Sequence, residues 1–123
     1  MIKYFKALSD LNRLRIINLL MEQKFCVCEL EVILKMTQSN ASRHLAKLRD
    51  SGIVETVKNA QWVYYRLSPS FIEGNEDLYN YLLANRSDET LQDDLDRFKI
   101  FRDENLNCLS IRDNKNNVLD RLL

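Results

Sequence analysis

Two cysteines one residue apart, Cys26 and Cys28 in the run Phe25-Cys26-Val27-Cys28-Glu29-Leu30, are the residues of this chain best suited to chemistry, with Cys108 far downstream as the only other thiol. Three cysteines so unevenly placed do not make a disulfide scaffold, so they are expected as reduced thiols used for ligation or redox chemistry. The pair reads as the start of a helix. Free amide N–H groups and the helix dipole there are expected to lower a thiol's pKa and favour the thiolate, the form that binds soft metals and metalloids. Two thiolates at this spacing can share one soft centre, but alone they are a poor zinc site, which wants four ligands. A free cysteine is more often a small buried hydrophobe, so the motif takes its weight from its surroundings. His44 is the only histidine. It is expected to hold its helix to the domain or reach a phosphate, since a lone imidazole cannot build a multi-histidine metal site.

The elements that would position these residues are legible from periodicity and caps. A first helix runs from Ser9 or Asp10 as N-cap to about Glu22, with Leu11, Leu14, Ile17 and Met21 at helical spacing. A shorter one spans about Val27 to Leu34; Lys35 and Met36 connect it to a helix capped by Thr37 and ending near Asp50, where Gly52 supplies a left-handed stop. Two short helices so joined are a helix-turn-helix candidate. On the second, Ala41, Leu45 and Leu48 share one side, and Ser39, Ser42, Arg43 and Ala46 another. The small, polar, basic side suits the major groove, where Gln, Ser and Arg can reach bases and phosphates.

Two β-prone runs, Ile53 to Lys58 and Trp62 to Leu67, flank Asn59-Ala60-Gln61 and read as a hairpin ended by Ser68, Pro69 and Ser70. Its tip residues Lys58, Asn59 and Gln61 offer a second phosphate or minor-groove contact beside the helix. Beyond it, about Asn75 to Asn85 and Asp88 to Glu104 are predicted helices. The final stretch, broken at Asn114 to Asn117, reads as a frayed tail or a short packed helix.

At 123 residues the chain is one domain, and 46% hydrophobic with 29% charged residues excludes disorder. No apolar run is long enough to cross a bilayer and the first residues do not resemble a signal peptide, so a cytoplasmic protein is expected. Eighteen basic and eighteen acidic side chains cancel overall. They segregate, however: residues 1 to 66 hold eleven basic and six acidic side chains, a balance of +5, leaving −5 for the remainder. That asymmetry fits a polyanion surface at one end of the molecule.

Taken together, Phe5-Lys6-Ala7-Leu8-Ser9-Asp10 with Arg13-Leu14-Arg15-Ile16, the Cys26-Val27-Cys28-Glu29-Leu30 box, Gln38 to Leu45, Leu48 to Val54 and Trp62 to Leu67 resemble the ArsR/SmtB family of winged-helix repressors, most closely its arsenic-sensing branch. The resemblance covers about Phe5 to Pro69. It implies a mainly α fold with a small β-hairpin wing, a winged helix-turn-helix dimerised through N- and C-terminal helices. Residues 1-123 would then form a single domain, with a DNA-binding core at about 9-68, dimerisation helices at about 1-8 and 71-105, and a tail of uncertain order at 106-123.

The function implied is a non-enzymatic, metalloid-responsive transcriptional repressor that binds operator DNA as a homodimer and is released by As(III) or Sb(III) at cysteine thiolates, with no organic cofactor and no membrane partner. Gln38, Ser39, Ser42 and Arg43 map onto the DNA-reading helix, and Cys26 and Cys28 onto the metalloid ligands. Related arsenic sensors often carry a third cysteine where this chain has Glu31, which leaves Cys108 as the only candidate third thiolate. The wing tip also departs from the pattern, with Asn59-Ala60 in place of the commoner glycine. Zinc sensing is disfavoured, since no histidine follows residue 70 and no cysteine precedes Cys26. The alternative is a thiol redox or persulfide-sensing repressor of the same fold, for which a Cys28–Cys108 bridge is open whereas a Cys26–Cys28 bridge would be strained. A thiol enzyme lacks support, because there is no Cys-x-x-Cys motif, second histidine or Gly-rich nucleotide loop.

Overall fold

The computed structural model describes residues 1–123, folded as α1 (Ile2–Leu8), α2 (Leu11–Leu20), α3 (Val27–Leu34), α4 (Gln38–Asp50), β1 (Val54–Asn59), β2 (Trp62–Leu67), α5 (Pro69–Gly74), α6 (Glu76–Ala84), α7 (Glu89–Asp103) and α8 (Cys108–Arg121). The helix starts follow the local signals. The Asp10 carboxylate accepts the Arg13 N–H at 3.1 Å, and Thr37 Oγ1 accepts that of Asn40 at 3.2 Å, each satisfying an amide that the first turn leaves free. Gly52, at φ +86°, ends the α4 segment in the left-handed region, where a side chain would be strained.

The core closes over the helix-turn-helix. Ile16, Ile17 and Leu19 of α2, Leu30 and Ile33 of α3, and Leu45 and Leu48 of α4 are fully buried together with Ile53. Each such side chain contributes roughly 1.5–3 kcal/mol by leaving water. β1 and β2 pair antiparallel from Val54 opposite Leu67 to Asn59 opposite Trp62, so helix-turn-helix and hairpin form a winged helix-turn-helix. The loop is the two residues Ala60 and Gln61, one shorter than expected, because Asn59 joins the ladder. Ala60 takes φ +57°, the conformation a glycine would adopt more readily.

The C-terminal half departs more from the sequence reading. Pro69, expected to close the hairpin, instead opens α5 from its first turn, where its missing N–H costs nothing. Phe71 of α5 is buried against Tyr4 of α1, ring centroids 5.2 Å apart. The stretch at about 71-105 therefore holds three helical segments, of which α7 packs on α2 and α3 of its own chain through Phe98 and Phe101. Residues 106-123, read as a tail of uncertain order, form α8 on the flank of α3, with Ile111, Val118 and Leu122 in the core. The break at Asn114 is a kink within α8, recapped by Asn114 Oδ1 accepting the Asn117 N–H at 3.1 Å. No helix is long and apolar enough to cross a membrane.

Candidate functional site

Cys26 is the N-cap of α3 and Cys28 its second residue, while Cys108 opens α8 under the Asn107 cap. Packing α8 on α3 brings the three sulfurs within 4.8 Å of one another. Cys28 Sγ lies 3.4 Å from Cys26 Sγ and 2.9 Å from Cys108 Sγ. Cys26 and Cys108 are joined as a disulfide, their Cα atoms 7.4 Å apart, and Cys28 is free. Cys108, the candidate third thiolate, thus reaches both members of the pair, and the sulfur it approaches most closely is that of Cys26. Beside the Glu29 carboxylate, whose Oε1 lies 3.0 Å from Cys26 Sγ, the reduced cluster offers a set of three sulfur donors. That set fits a thiophilic three-coordinate centre and falls one ligand short of a tetrahedral structural zinc site. Two sulfurs bonded to one centre at about 2.3 Å lie roughly 3.3–4 Å apart, the spacing of Cys26 and Cys28.

At Cys28 the expected lowering of the thiol pKa does not hold. Burial pushes the Cys28 thiol up to about 11, and the Glu29 and Glu31 carboxylates add to the rise, outweighing the backbone N–H groups at the helix start. Glu29 is itself buried, which raises its pKa, and its Oε1 accepts the Cys26 N–H at 3.0 Å.

The side chains that hold this arrangement lay outside the sequence reading. Glu31, standing where related sensors carry a third cysteine, pairs with Lys115 and pins α8 beside α3. Asp94 of α7, fully buried, accepts from Arg15 of α2 at 2.8 and 2.9 Å and also pairs with Arg97. The same two arginines donate to the last carbonyls of α3, Arg15 to Leu34 O at 2.7 Å and Arg97 to Ile33 O at 2.6 Å. The one advance sign was the Asp94/Arg97 spacing of three in a helical pattern. Phe25, just before the sulfur site, exchanges both backbone hydrogen bonds with Tyr65 of β2 at 3.0 and 2.7 Å and sets its ring edge on Phe98. The wing, α3 and α7 thus meet at the residue next to Cys26.

On α4 the structure separates the faces as the wheel predicted. Ala41, Leu45 and Leu48 are buried; Gln38, Ser39, Ser42 and Arg43 are exposed on the opposite side, as are Lys58, Asn59 and Gln61 at the wing tip. His44 is buried, its Nδ1 3.4 Å from Arg13 Nη1. Because a guanidinium has only donors, that nitrogen must accept, which makes the ring neutral with its proton on Nε2. Burial holds its pKa below the usual value.

Comparison with known proteins agrees with this geometry. Residues 10–56 match the family model for bacterial regulatory proteins of the arsR family. Over 69 residues, 55% of the chain, it is 49% identical to the arsenical resistance operon repressor of Escherichia coli, spanning 59% of that protein's length. It is 39% identical to the transcriptional activator HlyU of Vibrio cholerae, covering 63% of the chain and 71% of the relative. The solved structure of reduced HlyU superposes with a TM-score of 0.56 at 37% identity, over 66% of this chain and 85% of that one. The homodimeric winged helix-turn-helix domain of a possible ArsR-family regulator from Mycobacterium bovis shares the fold, with a TM-score of 0.59 at 24% identity over 70% and 80% of the two chains. A helix-turn-helix and wing in this order, matched in sequence across two thirds of a relative, place the chain in the ArsR family of bacterial regulatory proteins.

Proposed function

We propose that this chain is a homodimeric, DNA-binding repressor whose release is governed by a thiophilic metalloid, As(III) or Sb(III), held by Cys26, Cys28 and Cys108 of one subunit. The convergence of three sulfurs from α3 and α8 carries this reading. A bound metalloid would supply a centre that forms bonds to thiolates and holds them together. The chain's own residues supply the rest. Cys26 is at once a ligand candidate, the cap of α3 and the neighbour of Phe25, which is hydrogen-bonded to the wing. A shift at Cys26 therefore reaches the support of α4 and the wing together. Differential affinity of this kind between two states is typically worth ~1–3 kcal/mol. Gln38, Ser39, Ser42 and Arg43 would read the operator, with Lys58, Asn59 and Gln61 at the wing on its backbone.

Fluorescence anisotropy of the reduced protein on the DNA upstream of its own gene, titrated with arsenite and separately with zinc, tests the reading. Arsenite alone should dissociate the wild-type complex; Cys26→Ser and Cys28→Ser should bind DNA and ignore arsenite. Normal arsenite release of either variant would overturn the ligand assignment. The Cys26–Cys108 disulfide favours a second reading, a repressor controlled by thiol oxidation. Cys28→Ser separates the two, since it removes a metalloid ligand and leaves the disulfide pair intact. Release of Cys28→Ser by peroxide, with wild type indifferent to arsenite, would select the redox reading.

A further inference from the structure

The polar stripe of α4 does not end with the residues expected to read DNA. Ser39, Arg43 and Lys47 follow one another at four-residue spacing, and Lys47 opens onto a recess of about 370 Å³ between α4 and α1. Lys3 and Lys6 of α1, Arg13 of α2, and Asp50 and Ser51 line the rest of it, with Ala7 its one apolar wall. Lys3, Lys6 and Lys47 are exposed and none forms an ion pair, so three lysines and one carboxylate surround the recess, with Lys3 Nζ resting over the Tyr4 ring 5.3 Å from its centroid. The placement is built. The buried Arg13 donates to Ala7 O at 2.6 Å and Lys6 O at 3.3 Å while meeting His44 of α4, which fixes the end of α1 against the middle of α4. Like charges gathered around one recess repel one another, and an anion among them would offset that repulsion.

We propose that this recess binds a phosphate oxyanion through Lys3, Lys6 and Lys47, and that the phosphate belongs to the DNA backbone beside the groove entered by α4. This makes α1 part of the nucleic-acid interface. The inference rests on the DNA-binding reading for its source of phosphate, whereas the chemistry of the recess stands without it. Ammonium groups on flexible stems suit a single charged oxyanion.

The test compares wild type with Lys3→Gln/Lys6→Gln and with Lys47→Gln, using Lys99→Gln on α7 as a control for lost charge. Each is measured on the upstream duplex and on a scrambled duplex across a salt series, and each is melted with and without millimolar inorganic phosphate. Since the dependence of log K on log salt scales as about 0.9 per phosphate neutralised, the double variant should lose about 1 to 2 from that slope. It should weaken on both duplexes by roughly tenfold near 0.1 M salt and keep its preference for the upstream sequence, while Lys99→Gln keeps the wild-type slope. An unchanged slope together with a phosphate-induced rise in Tm that the double variant loses would assign the recess to a free anion and overturn the DNA source. No change in either measurement would overturn the site. Failure of wild type to bind either duplex would instead overturn the DNA-binding reading, and the phosphate melts would still decide the recess.

Discussion

His44 shows how one side chain can be chemically silent and still matter. It joins α4 to α2 only as a neutral acceptor from Arg13, and protonation would set two cations 3.4 Å apart in a buried place. Arg43 and Lys47 add to the unfavourable field for its proton, with Asp10 opposing them. The unfolded ring titrates near 6.5 and the folded ring below it, so on acidification the unfolded state takes up the proton first. The stabilisation is therefore full above about pH 6.5 and falls as the pH drops from there towards the lowered folded value. Urea midpoints measured from pH 7.5 to 5 should fall for wild type and fall less for His44→Gln, whose amide accepts the same bond without titrating. Burial works to raise the pKa of Asp10, but the Arg13 N–H and charge hold it below the ordinary 3.8, so it loses its contribution only at lower pH, outside this window.

At the scale of elements, the decisive feature is how α7 and α8 dock on the helix-turn-helix. α7 is held by an acid with no exposed surface between two arginines, and those arginines also satisfy the terminal carbonyls of α3. Removing the acid leaves two partly buried cations without their shared counter-charge, a change that for a buried pair typically costs about 3–5 kcal/mol. Asp94→Ala should accordingly lower the unfolding free energy by about 3 kcal/mol or more in urea melts. It should also loosen α8, which follows α7 and carries Cys108. The Glu31–Lys115 pair is half exposed on the lysine side and is worth much less, so it steers α8 more than it secures it.

For the whole molecule, the unpartnered apolar surface marks the proposed dimer. Met1 is exposed, as are Ile2 and Phe5 of α1 and Tyr81 of α6, and a shared recess holding Tyr4, Phe5 and Leu78 joins the two helices. A dimer built on this face would carry two copies of α4, the number a two-fold operator engages. Phe5→Asp/Tyr81→Asp should halve the mass seen by sedimentation. Its affinity for the upstream duplex should drop at least tenfold while circular dichroism stays native. A dimer that survives both substitutions would move the interface elsewhere, with α7 already engaged within its own chain.

Much of this protein is written in short-range patterns that no distant contact had to complete. The caps at Asp10 and Thr37, the left-handed Gly52, the two faces of α4 and the β-prone runs of the wing depend on residues within one or two turns of each other, so they could be read directly. Even the break at Asn114 was visible. What could not be read depends on residues far apart in sequence meeting through packing. Cys108 joins Cys26 and Cys28 only because Ile111 and Val118 bury α8 on α3. Asp94 finds Arg15 only because Phe98 and Phe101 enter the same core. The thiol pKa went the other way because helix-start amides act locally, whereas burial of Cys28 and the placing of Glu29 and Glu31 around it are properties of the folded whole. Backbone preferences set the elements; desolvation and charge pairing, which exist only once the elements pack, set the site.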